Sequence, residues 1–458
     1  MSHGLADQAT PGAVPIVPVT RATYPEWFAS RPERERRWLE ATGFEPAADR
    51  HCLVPRDDHT LGAVVLGAGE DPDPWALAAL PGVLPRGCYR VDAPWAPERL
   101  ALAALGWGLG VYRYARYRDA EPPDVHLALE GRCSLDAVRH RVEAVALVRD
   151  LINTPAQDLG PTELGDAIEA LASDFDARVE RIRGDDLLEQ RLPAIHAVGR
   201  ASASPPELVD MTWGQIDHPR VTLVGKGVCF DSGGLDLKSA SNMRLMKKDM
   251  GGAAHAAGLA RLVMAEALPV RLRLLVPAVE NAVAGNAFRP GDVLRTRAGT
   301  TVEVDNTDAE GRIVLCDALT LAGEEEPDLM VDFATLTGAA RVALGTELPA
   351  LFSNDDAVAR GILTGAEQAR DPLWRLPLHS PYREMLESRV ADLVNSASTP
   401  FAGAITAALF LEHFVPQTTP WAHFDLMAWN LKSRPGRPEG GEAMGLRAVF
   451  DYLSQRYG

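Results

Sequence analysis

The stretch from Val221 to Ala254, VTLVGKGVCFDSGGLDLKSASNMRLMKKDMGGAA, decides how this chain folds. An apolar run, Val221 to Val224, reads as a buried strand. It delivers Lys226 and then Asp231 into glycine-rich turns, followed by Asp236, Lys238 and Asp249, and a helical pattern runs from about Gly252 to Ala267. A strand passing through a loop into a helix is the unit of α/β folds, and active sites in such sheets collect at the carboxyl ends of the strands.

The same alternation extends to both sides. Upstream lie a strand pattern at Ala177–Ile182, a helical one near Leu187–His196 and a strand at Leu208–Trp213. Downstream come strands at Val270–Ala278, Thr301–Val304 and Leu329–Phe333, with a helix at Ile313–Ala322 between the last two. A mostly parallel sheet flanked by helices is implied. From about Tyr24 to Tyr117 the pattern is shorter and mixed, with one helical stretch near Pro97–Gly110. The polar, turn-rich DAEPP at Asp119–Pro123 and then Gly131 break the chain before a long helical period through Val138, Val142, Leu147 and Leu151. The expected fold is therefore α/β with two domains: a small N-terminal α/β domain over residues 1–130, its lead-in 1–20 mobile, and a larger C-terminal catalytic domain over 131–458 with the parallel, helix-flanked sheet.

Composition bounds the function. The 458 residues are 46% hydrophobic and 24% charged, ordinary globular usage, and no run of about 18 uninterrupted apolar residues would span a bilayer. Asp plus Glu number 63 against 46 Lys plus Arg, a net charge of −17 that repels phosphate backbones, so neither membrane nor nucleic acid is an expected partner. The five cysteines, Cys52, Cys88, Cys133, Cys229 and Cys316, are odd in number and contain no CxxC pair, as in a reduced cytoplasmic protein. Met1–Thr20 lacks the basic cluster and apolar core of a secretory signal.

The second informative segment is VEVDNTDAEGR, Val302–Arg312, where a strand ends in Asp305, Asp308, Glu310 and Arg312. Four or more carboxylates gathered at strand ends in one domain repel each other unless cations sit among them. Carboxylates with one nitrogen ligand, Lys226, and no Cys or His suit divalent ions, in number enough for two. Two metals about 3.5 to 4 Å apart can share a water and stabilise charge on a carbonyl under attack, which is hydrolysis without a protein nucleophile. Lys238 and Arg312 are left to polarise that carbonyl and to hold an anion. Lys226 can ligate only as the neutral amine, a form that adjacent dications favour.

NTDAEGR (Asn306–Arg312), VGKGVCFDSGG and KKDMGGAA together resemble the leucyl aminopeptidase family, the cytosolic M17 dizinc exopeptidases. Further likeness runs through LVRDLINTPAQDLGP (Leu147–Pro161), ATLTGAA (Ala334–Ala340), ADLVNSAS (Ala391–Ser398) and GAITAALFLEHFV (Gly403–Val415), covering roughly residues 140–455. The resemblance implies a metalloaminopeptidase acting on peptides with a free N-terminus, with two divalent ions, Zn2+ or Mn2+, per subunit. Lys226, Asp231, Asp249, Asp308 and Glu310 would bind the metals, Asp231 and Glu310 bridging them. Lys238 would polarise the scissile carbonyl and Arg312 would hold a bicarbonate as general base. Met246, Asn306, Thr335, Leu336 and Gly338 match substrate-binding positions. A homohexamer in the cytoplasm, working in peptide catabolism, is implied as well. Rival readings are a narrow-specificity dimetal dipeptidase and a DNA-binding regulatory member of the family. The segment WAHFDLMAWN (Trp421–Asn430) departs from the pattern at Met427, Trp429 and Asn430.

Several features read as structural. Gly106, Gly108 and Gly110 lack the spacing of a dinucleotide loop. Ser232 is not in a nucleophile elbow. Cys229 and Cys316 sit on apolar stretches, Asp236, Asp305, Lys247 and Lys248 read as solvated or structural, and His255 as a satisfied helix residue.

Overall fold

The computed structural model describes residues 3–71 and 73–458. It forms two compact units, one running to Ala146 and including Lys432–Pro438, the other made of Leu147–Leu431 and Glu439–Gly458.

The first unit is built on a six-stranded sheet in the order Leu5–Ala6, Val125–Ala128, Gly87–Val91, Val14–Val19, Leu61–Gly67, His51–Pro55. All neighbours are parallel except the last pair. The lead-in expected to be mobile is thus corrected: Val14–Val19 is an internal strand, paired on both sides, with Ile16 fully buried. Pro15 and Pro18 argue against such a strand when the sequence is read alone. Burial of Ile16 and Val19 in the sheet's core outweighs that local preference. Met1 and Ser2 of that lead-in lie outside the described residues. The helix Pro97–Val111 opens with proline at its first position and is buried all round from Ala103 to Val111. A Cβ on Gly106 would fall 1.6 Å from the carbonyl oxygen of Pro74, so the GWGLG run serves close packing of helix against backbone.

The second unit holds the long sheet. Its order is Trp374–Arg375, Ala350–Ser353, Trp421–Asp425, Leu329–Ala334, Arg220–Gly225, Arg271–Asn281, Glu207–Trp213, Arg178–Arg183, with Gly227–Asp231 paired to the far half of Arg271–Asn281. The four central strands are parallel, and Ala350–Ser353 and Glu207–Trp213 run antiparallel to their inner neighbours. Val221, Leu223 and Val224 are fully buried, as strands covered on both faces require. Alternation sends successive residues to opposite faces. Val224 joins the core cluster of Ile313, Leu315 and Leu319 from the helix Glu310–Gly323, while Gly225 lies against Ala253 of the helix Gly251–Ala265. The fold class thus agrees with the sequence reading. One element differs: the helix expected near Leu187–His196 is two, Asp186–Glu189 and Pro193–Gly199. Arg191 at φ 58 and Pro193, which cannot continue a helix from the preceding turn, separate them.

Candidate metal centre

The residues singled out at strand ends converge. Where Arg220–Gly225 stops, the Lys226 backbone is fixed by its N–H donating to Phe333 O at 3.0 Å and its carbonyl accepting from Ala253 N at 2.9 Å. Gly252 permits this junction, since a Cβ there would stand 2.1 Å from Phe333 O. The strand Gly227–Asp231 ends on Asp231, whose Oδ1 accepts from Gly233 N and from Asn281 Nδ2, each at 2.9 Å. Asp249 lies in the short helical turn Met246–Met250. The second segment is tied to the first by Thr307, whose N–H donates to Asp236 Oδ2 at 2.7 Å and whose hydroxyl donates to Gly233 O at 2.6 Å. Asn395 Oδ1 accepts from Asp305 N and Asn306 N, and Asn306 Oδ1 accepts from Asp308 N, which shapes the turn before the helix Glu310–Gly323.

The ionisable groups then interlock. Lys226 Nζ stands 2.6 Å from Asp249 Oδ2 and 2.9 Å from Glu310 Oε1. Lys238 Nζ stands 2.7 Å from Asp231 Oδ2 and also pairs with Asp308 Oδ1. One oxygen each of Asp231, Asp308 and Glu310 lies within 4.8 Å of the others. Lys226, Asp231, Asp249 and Glu310 are buried, whereas the Asp308 side chain is 34% exposed.

Crowding of like charge shows in the proton affinities. Burial, then repulsion by Asp231, pushes the Glu310 carboxyl up to about 8 and that of Asp308 up to about 6. Burial works against the Asp249 carboxylate too, but Lys226 and Lys248 hold it below the ordinary range. Burial likewise opposes charge on Lys226 and Lys238, and the carboxylates overcome it and raise both. Asp249 Oδ2 and Glu310 Oε1 are buried without a well-directed hydrogen bond. A hard carboxylate donor set, with two buried oxygens whose one close partner among the described residues is the Lys226 amine, fits divalent cations. Arg312 fits an anion in the same way: it is buried, its Nε has no hydrogen-bond partner among the described residues, and burial brings its guanidinium down to about 10.

The remaining predicted positions are close by. Thr335 donates to Asp249 Oδ1 at 2.8 Å, and its carbonyl accepts from Lys226 Nζ at 3.4 Å. Leu336 N donates to Asp425 Oδ1 at 3.1 Å, Gly338 opens the helix Gly338–Leu344, and Met246 is buried. Met427, Trp429 and Asn430 are buried too, with Leu426 N donating to Ala334 O beside Thr335 and Asn430 Nδ2 donating to Glu442. His255 is satisfied within the fold: its Nδ1 bonds Gly251 O and its Nε2 accepts from Met444 N. Ser232 closes a turn by donating to Asn281 O, and Cys229 and Cys316 are buried thiols. Lys247 donates to Asn153 O and Asp305 is exposed, whereas Lys248 is buried and its ammonium makes no hydrogen bond among the described residues. Sequence reading passed over Asn281 and gave Asn395 and Asp425 no role, although both lie in family-like segments; each reaches the cluster from a distant segment, so no local spacing marks what it does.

Comparison with known proteins points one way. The model of the cytosol aminopeptidase family, catalytic domain, matches residues 146–450, and that of the M17 aminopeptidase N-terminal domain matches 14–130. A probable cytosol aminopeptidase of Syntrophotalea carbinolica is 41% identical over 365 residues, 76% of this chain and 73% of that protein. Peptidase B of Pectobacterium carotovorum is 42% identical over 370 residues, 78% of this chain and 85% of that protein. The crystal structure of the cytosol aminopeptidase from Coxiella burnetii superposes with a TM-score of 0.96 at 51% identity, covering 99% of each chain. The bottromycin maturation enzyme BotP in complex with Mn superposes at 0.89 and 35% identity, covering 97% of this chain and 100% of that one.

Proposed function

Because this chain belongs to the cytosol aminopeptidase family and is a peptidase, we propose that it removes single N-terminal residues from peptides by metal-dependent hydrolysis. The observation that carries this reading is the packing of Asp231, Asp249, Asp308 and Glu310 around two lysines, with Glu310 and Asp308 driven toward protonation in the absence of further positive charge.

Lys226, Asp231, Asp249, Asp308 and Glu310 would hold two divalent cations, zinc or manganese, which when bound supply Lewis acidity toward a water and the scissile carbonyl. Lys238, anchored by Asp231 and Asp308, keeps its charge and directs it toward a carbonyl oxygen that becomes negative in the transition state. Arg312 would hold bicarbonate, which would supply a base. Leu336, whose N–H is fixed on Asp425, would present its carbonyl to substrate, and Met246, Asn306, Thr335 and Gly338 would contact substrate as well. A cytoplasmic homohexamer is part of this proposal; no helix among the described residues is long and apolar enough to cross a membrane. A boundary near residue 130 between the N-terminal and catalytic domains is proposed with it, supported by the separate matches at 14–130 and 146–450.

The test is hydrolysis of amino-acid amides and dipeptides by chelated protein titrated with Zn2+ or Mn2+, alongside Asp308→Ala and Glu310→Ala. Activity should return with metal, and each variant should lose at least about 1,000-fold in kcat/KM with unchanged circular dichroism. Full activity in both variants would discard the dimetal mechanism, and cleavage of dipeptides alone would favour the dipeptidase reading.

A further inference from the structure

Asp425 ends the strand Trp421–Asp425, directly beside Ala334, the last residue of the parallel strand Leu329–Ala334. It is 2% exposed, and a carboxylate so buried is costly unless hydrogen bonds satisfy it. Three donors do so, all from the turn that follows Ala334. Oδ1 accepts from Leu336 N and Thr337 N at 3.1 Å each, and Oδ2 accepts from the Thr337 hydroxyl at 2.6 Å.

The two backbone donors carry the consequence. In a planar trans peptide the N–H and the preceding carbonyl point in opposite directions. Holding Leu336 N–H therefore turns the Thr335 carbonyl away from Asp425, and that oxygen lies 3.4 Å from Lys226 Nζ, at the carboxylate cluster. Holding Thr337 N–H turns the Leu336 carbonyl away in the same manner, and among the described residues that oxygen accepts no hydrogen bond. The helix Gly338–Leu344 does not require this arrangement for its cap, since the Thr337 hydroxyl itself accepts from Ala340 N at 3.0 Å. Thr335 has a tie of its own, to Asp249 Oδ1. The bonds to Asp425 are thus the ones that set the direction of the Leu336 carbonyl.

We propose that Asp425 is the positioning residue of the turn Thr335–Thr337, aiming the unpaired Leu336 carbonyl at the N–H donors of the substrate and so acting on substrate through the backbone, apart from the metals. This rests on the aminopeptidase reading, in which that carbonyl meets the substrate.

The experiment measures kcat/KM on amino-acid amides and, by calorimetric titration, Zn2+ or Mn2+ affinity for Asp425→Ala, Asp425→Asn and Thr337→Val in the full chain. A misplacement of about 1 Å can cost about 100-fold in rate, so Asp425→Ala should lose about that factor in kcat/KM. Asp425→Asn, whose Oδ1 still accepts both N–H groups, should recover about tenfold of the loss, and it keeps the test open if the alanine variant does not fold. Metal affinity should stay within about threefold of wild type in both, in contrast to the larger loss expected when a metal ligand's own support is removed. Thr337→Val, which removes the helix cap and leaves both backbone donors on Asp425, should lower the melting temperature and keep kcat/KM within about threefold. Wild-type kcat/KM in either Asp425 variant, a metal affinity that falls in step with activity, or a loss in Thr337→Val as large as in Asp425→Ala overturns the assignment and leaves the aminopeptidase reading intact. Hydrolysis of no substrate by metal-loaded wild type overturns that reading, and this assignment with it.

Discussion

The Thr335 hydroxyl donates a 2.8 Å hydrogen bond to Asp249 Oδ1, although 86 residues separate the two in sequence. It leaves Oδ2 turned toward Lys226 Nζ. A carboxylate fixed in this way enters a metal's coordination sphere without first losing rotational freedom. Removing such a supporting bond typically costs about 10- to 100-fold in metal affinity. Thr335→Val should weaken Zn2+ or Mn2+ binding by that factor in calorimetric titration, and Thr335→Ser should restore it. Equal affinities for Val and wild type would mean that Asp249 is positioned by packing alone.

The Arg149–Glu442 pair is a stability determinant of the catalytic unit. Arg149 Nε and Nη2 each reach a Glu442 oxygen at 3.0 Å, and both side chains are buried. Breaking a buried pair by removing one partner strands the other charge, at a cost of about 3 to 5 kcal/mol. Arg149→Met should lower the unfolding free energy by that amount in urea, and Arg149→Met with Glu442→Leu by distinctly less. A double variant as unstable as the sum of the single ones would show the pair to be energetically uncoupled.

His255 makes stability depend on pH. Burial, only partly offset by Gly251 O, brings its imidazole down to about 4 from the ordinary 6.5. The folded state therefore binds its proton less readily than the unfolded chain. Its contribution is complete above about pH 6.5 and is lost as pH falls from there toward 4, on the order of 3 kcal/mol in all. The stability advantage of wild type over His255→Gln should accordingly shrink between pH 7.5 and pH 5. An advantage that is constant across that range would show that the imidazole charges in place.

Much of this was legible in one dimension. NTDAEGR and VGKGVCFDSGG combine strand, glycine turn and helix start within a few residues, so their charged side chains are ordered by local structure and the elements carrying them follow from periodicity. The lead-in strand Val14–Val19 was not legible, because its two prolines oppose a strand locally and only the partners on either side, Leu61–Gly67 and Gly87–Val91, reveal that it is internal. Lys248 reads on its own as one of two solvated lysines in KKDM, and its burial is set by the elements that close over it.

The sequence by itself determined the α/β layering, the two-part organisation and the identity of the carboxylates and lysines at the centre, because these depend on side-chain chemistry and short-range pattern. Only the tertiary structure decided that Thr335 braces Asp249, that Asn281 and Asn395 hold the turns, and that Lys248 is buried beside Asp249. Those relationships depend on strand order in a sheet whose neighbours are distant in the chain. Through-space electrostatics and burial act on the distances that this order creates, and no spacing along the sequence encodes them.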